Sequence, residues 1–210
     1  MHAARWTPGG VAAILVLTLL AAQLPAQAPA AAAKQRRPTA DEVSRQYLPR
    51  HPGPRDEAEK RIVAVMDDMY ANQSRGMGNV SPEDGRLLRL LAETLGAKHV
   101  VEVGTANGYS AMWFCLALRS TGGKLTTHEI DPKRIALATE NFRQAGVGQL
   151  ATLVEGDAHQ TIQKLTGPID LVLLDAEKEG FTDYLAKLLP LVRAGGLIVA
   201  HDSSGQAHMM

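Results

Sequence analysis

Cysteine is almost absent from this chain. A single residue, Cys115, has no partner for an intramolecular disulfide, and without a CxxC pair or a Cys/His cluster nothing can hold structural zinc. Stability therefore has to come from a packed core. An excess of one charge is missing as well. Lys plus Arg number 22 and Asp plus Glu number 22, so there is no basic surplus of the kind that neutralises a phosphate backbone, and nucleic acid is set aside as a partner. The N-terminal apolar stretch at 11–22 has only 12 residues, short of the roughly 20 that a membrane-spanning helix needs. There is no internal repeat. What remains is ordinary globular material, 45% hydrophobic and 21% charged over 210 residues, enough for one compact domain.

Residues 1–33 read as an export signal. His2 and Arg5 precede the apolar stretch, and an Ala/Pro/Gln-rich tail follows, with small-x-small cleavage candidates at Ala26-Gln27-Ala28, Ala28-Pro29-Ala30 and Ala30-Ala31-Ala32. The expectation is an exported, periplasmic or secreted protein. Uncleaved, the segment would be a membrane anchor; if it is no signal at all, the protein is cytoplasmic. Residues 34–55 carry Pro38, Pro49, Pro52 and Pro54 among charges and read as a linker, which leaves 56–210 for the folded domain.

From Asp56 the periodicity becomes orderly. Ile62, Val65, Met66, Met69 and Tyr70 recur at helical spacing. Ser81-Pro82-Glu83-Asp84 is a helix start, with a capping hydroxyl, a proline at the first helical position and two acids at the positive end of the dipole. The buried stripe of that helix is expected at Leu87, Leu90, Leu91, Thr94 and Leu95. Five short apolar runs follow, at 99–103, 124–130, 151–155, 169–174 and 197–200, with helical patterns between them. Ile135, Ala138, Phe142 and Ala145 make one stripe; Phe181, Tyr184, Leu185, Leu188, Leu189 and Val192 make another. Strand and helix in alternation imply an α/β fold, a Rossmann-like, doubly wound and mainly parallel sheet with helices on both faces.

Ligands of such sheets sit beyond the carboxyl ends of the strands. The first strand runs into Gly104-Thr105-Ala106-Asn107-Gly108, a tight turn that lets backbone approach a ligand over a helix N-terminus. It lacks the GxGxxG spacing and any Lys or Arg for a pyrophosphate, so a nucleoside without phosphates suits it better. The second strand ends at Glu129, placed to accept ribose hydroxyls, and the third at Asp157-Ala158, placed to read an adenine edge. The fourth and fifth end at Asp175 and Asp202. Neighbouring parallel strands lie about 4.8 Å apart, so these two carboxylates can share a hard cation such as magnesium or manganese. His128, His159 and His201 show no mutual metal-ligand spacing, and Cys115, among Met112, Trp113, Phe114 and Leu116, reads as core.

As a set, these motifs resemble the class I S-adenosylmethionine-dependent O-methyltransferases of the catechol and caffeoyl-CoA type, from about Met77 to Asp202. Asn79-Val80 followed by Gly85 is similar to the family's cofactor-covering segment, and Val101-Glu102-Val103-Gly104 with Gly108-Tyr109-Ser110 to its first motif. The resemblance implies S-adenosylmethionine as cofactor, with Val80 covering it, Glu102, Gly104 and Ser110 facing its methionine part, Glu129 its ribose, Asp157 and Ala158 its adenine, and Asp175 also beside it. Leu174-Asp175-Ala176-Glu177-Lys178 is similar to the fourth-strand motif, where the Asp binds metal and the Lys is the general base. Asp202 matches the second metal carboxylate and Ser203 stands where the family usually has Asn, a weaker and shorter donor.

The implied reaction is divalent-metal-assisted transfer of a methyl group to a hydroxyl, phenolic or catechol-like, of a small molecule. A homodimer is left open. The family continues through two further strands, whereas this chain stops at Met210, which leaves the fifth strand as an open edge and points to truncation. Two rival readings are carried forward: a non-catalytic S-adenosylmethionine-binding remnant and an NAD-dependent oxidoreductase.

Overall fold

The computed structural model describes residues 53–201 and the backbone of residues 13 and 14. The rest of the segment read as signal and linker, and residues Asp202 and Ser203, lie outside the described residues. In chain order the elements are β1 (Ala13–Ile14), α1 (Glu57–Asn72), α2 (Pro82–Thr94), β2 (His99–Val103), α3 (Tyr109–Thr121), β3 (Lys124–Glu129), α4 (Pro132–Ala145), β4 (Ala151–Glu155), α5 (Ala158–Thr161), β5 (Ile169–Leu174), α6 (Phe181–Leu188) and β6 (Val192–Ala200). The strands form one sheet in the order β1-β6-β5-β2-β3-β4, and every pairing is parallel. From β2 the chain winds outward through β3 and β4, then returns to the other side of β2 for β5 and β6. Strand order therefore reverses between β2 and β5, as the doubly wound reading requires.

Local chemistry starts the helices. The side chain of Asp56 accepts from the amide of Glu59 at α1, Ser81 from Asp84 at α2, and Asp131 from Lys133 and Arg134 at α4. One sheet face carries α3 and α4, with α1 and α2 packed over α3. Its core includes Met66, Met69, Val100, Trp113, Phe114, Leu125 and Phe142. Covered on both sides, α3 is buried from Tyr109 to Leu118, which explains Cys115 as a core side chain whose thiol pKa is pushed up by desolvation. The opposite face packs Val101, Val103, Val172, Leu174 and Ile198 against Ile162, Phe181, Tyr184 and Leu188. Glu59, buried on α1, holds the outer layer together: it pairs with Arg55 at 2.7 Å, Arg89 at 3.2 Å and Arg119 at 3.7 Å.

Four expectations are corrected. The buried face of α2 is Gly85, Leu88 and Ala92, and Leu90 is 58% exposed. Small residues win there because α2 lies directly on Trp113: a Cβ on Gly85 would stand 2.1 Å from Trp113 Nε1. The strand expected at 124–130 stops at Glu129, and Ile130 is 64% exposed. The stripe expected through Val192 breaks after Leu188, where one 3-10 turn, Leu189–Leu191, leads into β6. That strand begins five residues before the expected 197. Arg193-Ala194-Gly195-Gly196 has turn-like composition but forms an irregularity in the ladder, with a register shift against Ile169 and Leu171 and Gly195 at φ +76. Arg193 is held there by Asp170 at 2.5 Å.

The β6 edge is not bare, since Ala13 and Ile14 pair along Leu197 and Ile198. Among the described residues no helix is long and apolar enough to cross a membrane.

Candidate functional site

The carboxyl ends of β2 to β5 surround a cleft of about 890 Å³, within the range of small-molecule sites. At the end of β2 the chain turns sharply. Gly104 and Thr105 donate their amides to the His128 carbonyl at 3.0 and 3.1 Å. Gly104 has φ +100, and a Cβ there would lie 2.2 Å from the Asp175 carbonyl oxygen. Only glycine combines that conformation with the closeness of β2 to β5. Gly108, at φ +90, then opens α3 without any side-chain cap, and Ser110 in the first turn of this 13-residue helix lines the cleft.

Opposite that turn, Glu129 is fixed by backbone. Its Oε2 accepts from the Ala106 amide at 2.7 Å, and its Oε1 from Ile130 at 2.9 Å and Asp131 at 3.0 Å. Asp157 caps α5 by accepting from the His159 amide at 2.8 Å, with Ala158 beside it on the cleft wall. Asn79 and Val80 reach the cleft from the segment before α2. Both side-chain polar atoms of Asn79 are buried without a hydrogen-bond partner, as expected of a group that waits for a ligand. Of the residues assigned to a nucleoside ligand, Val80, Gly104, Ser110, Glu129, Asp157, Ala158 and Asp175 therefore share one cavity. Glu102 does not line it. Fully buried, it accepts from Thr127 Oγ1 at 2.5 Å; desolvation pushes its pKa up to about 8, against the pull of the Ser110 and Thr127 hydroxyls.

The β5 side carries Asp175 and Lys178. Lys178 Nζ donates to the His201 carbonyl at 2.9 Å and lies 4.9 Å from the centre of the Phe181 ring. His201 Nδ1 is 3.0 Å from Asp175 Oδ1, and its Nε2 is 3.7 Å from Asp84 on α2. Asp175 first and Asp84 second raise the His201 pKa to about 10, so this end of the cleft holds an imidazolium between two carboxylates.

Of the expected metal ligands Asp175, Asp202 and Ser203, the last two fall outside the described residues. Among the described residues no group of three or more His, Cys, Asp or Glu can hold a metal ion, and Asp175 already meets a cationic side chain. The described residues fit a nucleoside and do not by themselves fit a divalent ion.

Sequence reasoning gave no role in the cleft to several residues that line it. Arg134, on the first turn of α4, lines it and donates to the Gly76 carbonyl at 3.4 Å. His159 stands 2.5 Å from Asp183 and 3.3 Å from Glu177 and stacks on Tyr184 at 4.5 Å, while Tyr184 donates to Glu177. His128 and His201 also belong to its lining. The only signal for the histidines was their place next to strand-end acids.

Known proteins share this fold. The catechol O-methyltransferase of Niastella koreensis is 40% identical over 128 residues, 59% of this chain and 58% of its own length. The chain thus spans somewhat more than half of that curated relative. The SAH-bound methyltransferase of Podospora anserina superimposes with a TM-score of 0.68 at 29% identity, covering 85% of this chain and 73% of that one. The SAM-bound O-methyltransferase of Streptomyces achromogenes involved in tomaymycin synthesis gives 0.64 at 29% identity, covering 80% and 74%. With residues 56–205 matching the O-methyltransferase family, the chain belongs to that family.

Proposed function

We propose that this protein binds S-adenosylmethionine and transfers its methyl group to a hydroxyl oxygen of a small molecule, with a phenol or catechol as the acceptor class. The observation that carries the reading is the single cleft in which Glu129, the Gly104–Gly108 turn, the open start of α3, Asp157 and Ala158 face Asp175 and Lys178. The SAM- and SAH-bound relatives support the cofactor, and the Niastella relative supports the acceptor class. The NAD-dependent alternative has no support in this cleft or in the family.

Bound there, S-adenosylmethionine supplies a methyl group on a positively charged sulfur. Glu129 would hold the ribose, and the amides at the start of α3 would meet the carboxylate of the methionine part. The acceptor oxygen would form the new bond to the methyl carbon while the carbon–sulfur electron pair stays with sulfur, and Lys178 Nζ, as the neutral amine, would take the hydroxyl proton. Much of the acceleration in such a displacement comes from alignment, for which up to about 7–11 kcal/mol is available in favourable systems.

A divalent ion has one described ligand, Asp175, which already meets His201. A second reading, a binder without catalysis, is favoured by one observation: His201 engages Asp175 through its ring and Lys178 through its carbonyl. Incubation of the full chain with methyl-labelled S-adenosylmethionine and a panel of phenols and catechols separates the two. Label is expected on the acceptor, and Lys178→Ala should lower the rate by about 10²- to 10⁴-fold. No transfer to any hydroxyl acceptor, with the cofactor bound, would leave the binder reading.

A further inference from the structure

His128 lies at the end of β3, one residue before Glu129, and is only 1% exposed although it lines the cleft. Its register partners are Val103 on β2 and Val154 on β4, so its ring shares the sheet face of Val103. Ile162 packs on that face, with Ala158 against the same cluster. Nδ1 is taken by Thr161 Oγ1 at 2.8 Å, whereas Nε2 is buried without a hydrogen-bond partner. A buried ring nitrogen left bare is costly, and native proteins seldom leave one unless a ligand or bound water completes it. Burial also drives the pKa of His128 down to about 4, so the ring is neutral at physiological pH and offers a single uncharged hydrogen bond through Nε2. None of the roles assigned above uses this group.

We propose that His128 Nε2 is a hydrogen-bonding contact for the adenosine half of the ligand, additional to Glu129, Asp157 and Ala158. The adenosine half is favoured over the methionine half by position. His128 immediately precedes Glu129 on β3, and Thr161, which meets its ring, lies on the same short helix as Ala158. The proposal rests on the reading of the cleft as an S-adenosylmethionine site.

The test is a titration of the full chain, labelled with ¹⁵N-histidine, with S-adenosylhomocysteine and separately with adenosine. The Nε2 resonance of His128, identified by its loss in His128→Phe, is expected to move with both ligands. His128→Phe keeps an aromatic ring without nitrogens and should bind S-adenosylhomocysteine about tenfold more weakly, with His128→Gln recovering part of the loss. If His128→Phe fails to fold, His128→Gln identifies the resonance and the wild-type titration decides. Wild-type protein that binds S-adenosylhomocysteine with the Nε2 resonance unmoved, or a folded His128→Phe of unchanged affinity, overturns the proposal and leaves the cofactor reading standing. Wild-type protein that binds neither ligand overturns both.

Discussion

The two halves of the cleft are built differently. At the ends of β2, β3 and β4 the walls are set by backbone: three amides fix Glu129, an amide fixes Asp157, and the start of α3 is left uncapped. At the ends of β5 and β6 the polar side chains are engaged with one another, with His201 on Asp175 and Asp84 and Lys178 on the His201 carbonyl. On the proposed function the first half would take a nucleoside without rearrangement, whereas the second would exchange internal contacts for an acceptor. Preorganised dipoles serve binding at no cost in reorganisation. Cofactor affinity should therefore be robust in this chain and turnover sensitive to what happens around His201.

Gly104 is where the halves touch. Gly104→Ala would drive a Cβ into the Asp175 backbone at φ +100, in a place where neither neighbour is a flexible side chain. Overpacking combined with a strained conformation should cost about 3 kcal/mol or more, seen as a fall in melting temperature together with loss of cofactor binding. A stable Gly104→Ala protein that still binds would show that the halves are less tightly joined than the register of β2 on β5 implies.

Glu102, behind the nucleoside half, predicts a smaller effect with a definite sign. Its folded pKa of about 8 lies above the ordinary carboxyl value, so the folded state holds its proton where the unfolded state has released it. Stability then falls as pH rises from about 4.5 to about 8, by up to about 1.4 kcal/mol per pH unit from this group. Glu102→Gln should flatten that part of the profile in denaturant melts between pH 6.5 and 8. His201, whose folded pKa is also raised, contributes a decline in both proteins and cancels in the comparison. An unchanged slope would mean that Glu102 is ionised in its buried position.

The last test addresses the other half. If an ion takes Asp175 from His201, the methyl-transfer rate falls in EDTA and returns with magnesium; a rate unchanged within about twofold would leave Asp175 paired with His201.

The nucleoside half was legible in the sequence because each of its acids follows an apolar strand run, and strand ends converge in a parallel sheet. Glu129, Asp157 and Asp175 meet for that reason alone. Glu102 came from the family resemblance and not from a strand end: as the last residue but one of β2 it lies beside Thr127 and does not line the cleft. The pairing of His201 with Asp84 joins α2 to the end of β6, a contact of long sequence separation that no local pattern encodes. Hydrophobic periodicity likewise misjudged α2, whose buried face is Gly85, Leu88 and Ala92, with Gly85 set directly against Trp113. At the start of β6 it missed an irregular stretch of ladder behind two glycines.

The most direct measurement is calorimetric titration of S-adenosylmethionine into the full chain and into Glu129→Ala. One saturable site is expected in the parent, weakened about 10- to 100-fold in the variant, as loss of charge-assisted hydrogen bonds implies. A parent chain that gives no binding heat at any temperature tried, or a Glu129→Ala protein that binds as tightly as the parent, would contradict a nucleoside site at the ends of β2, β3 and β4.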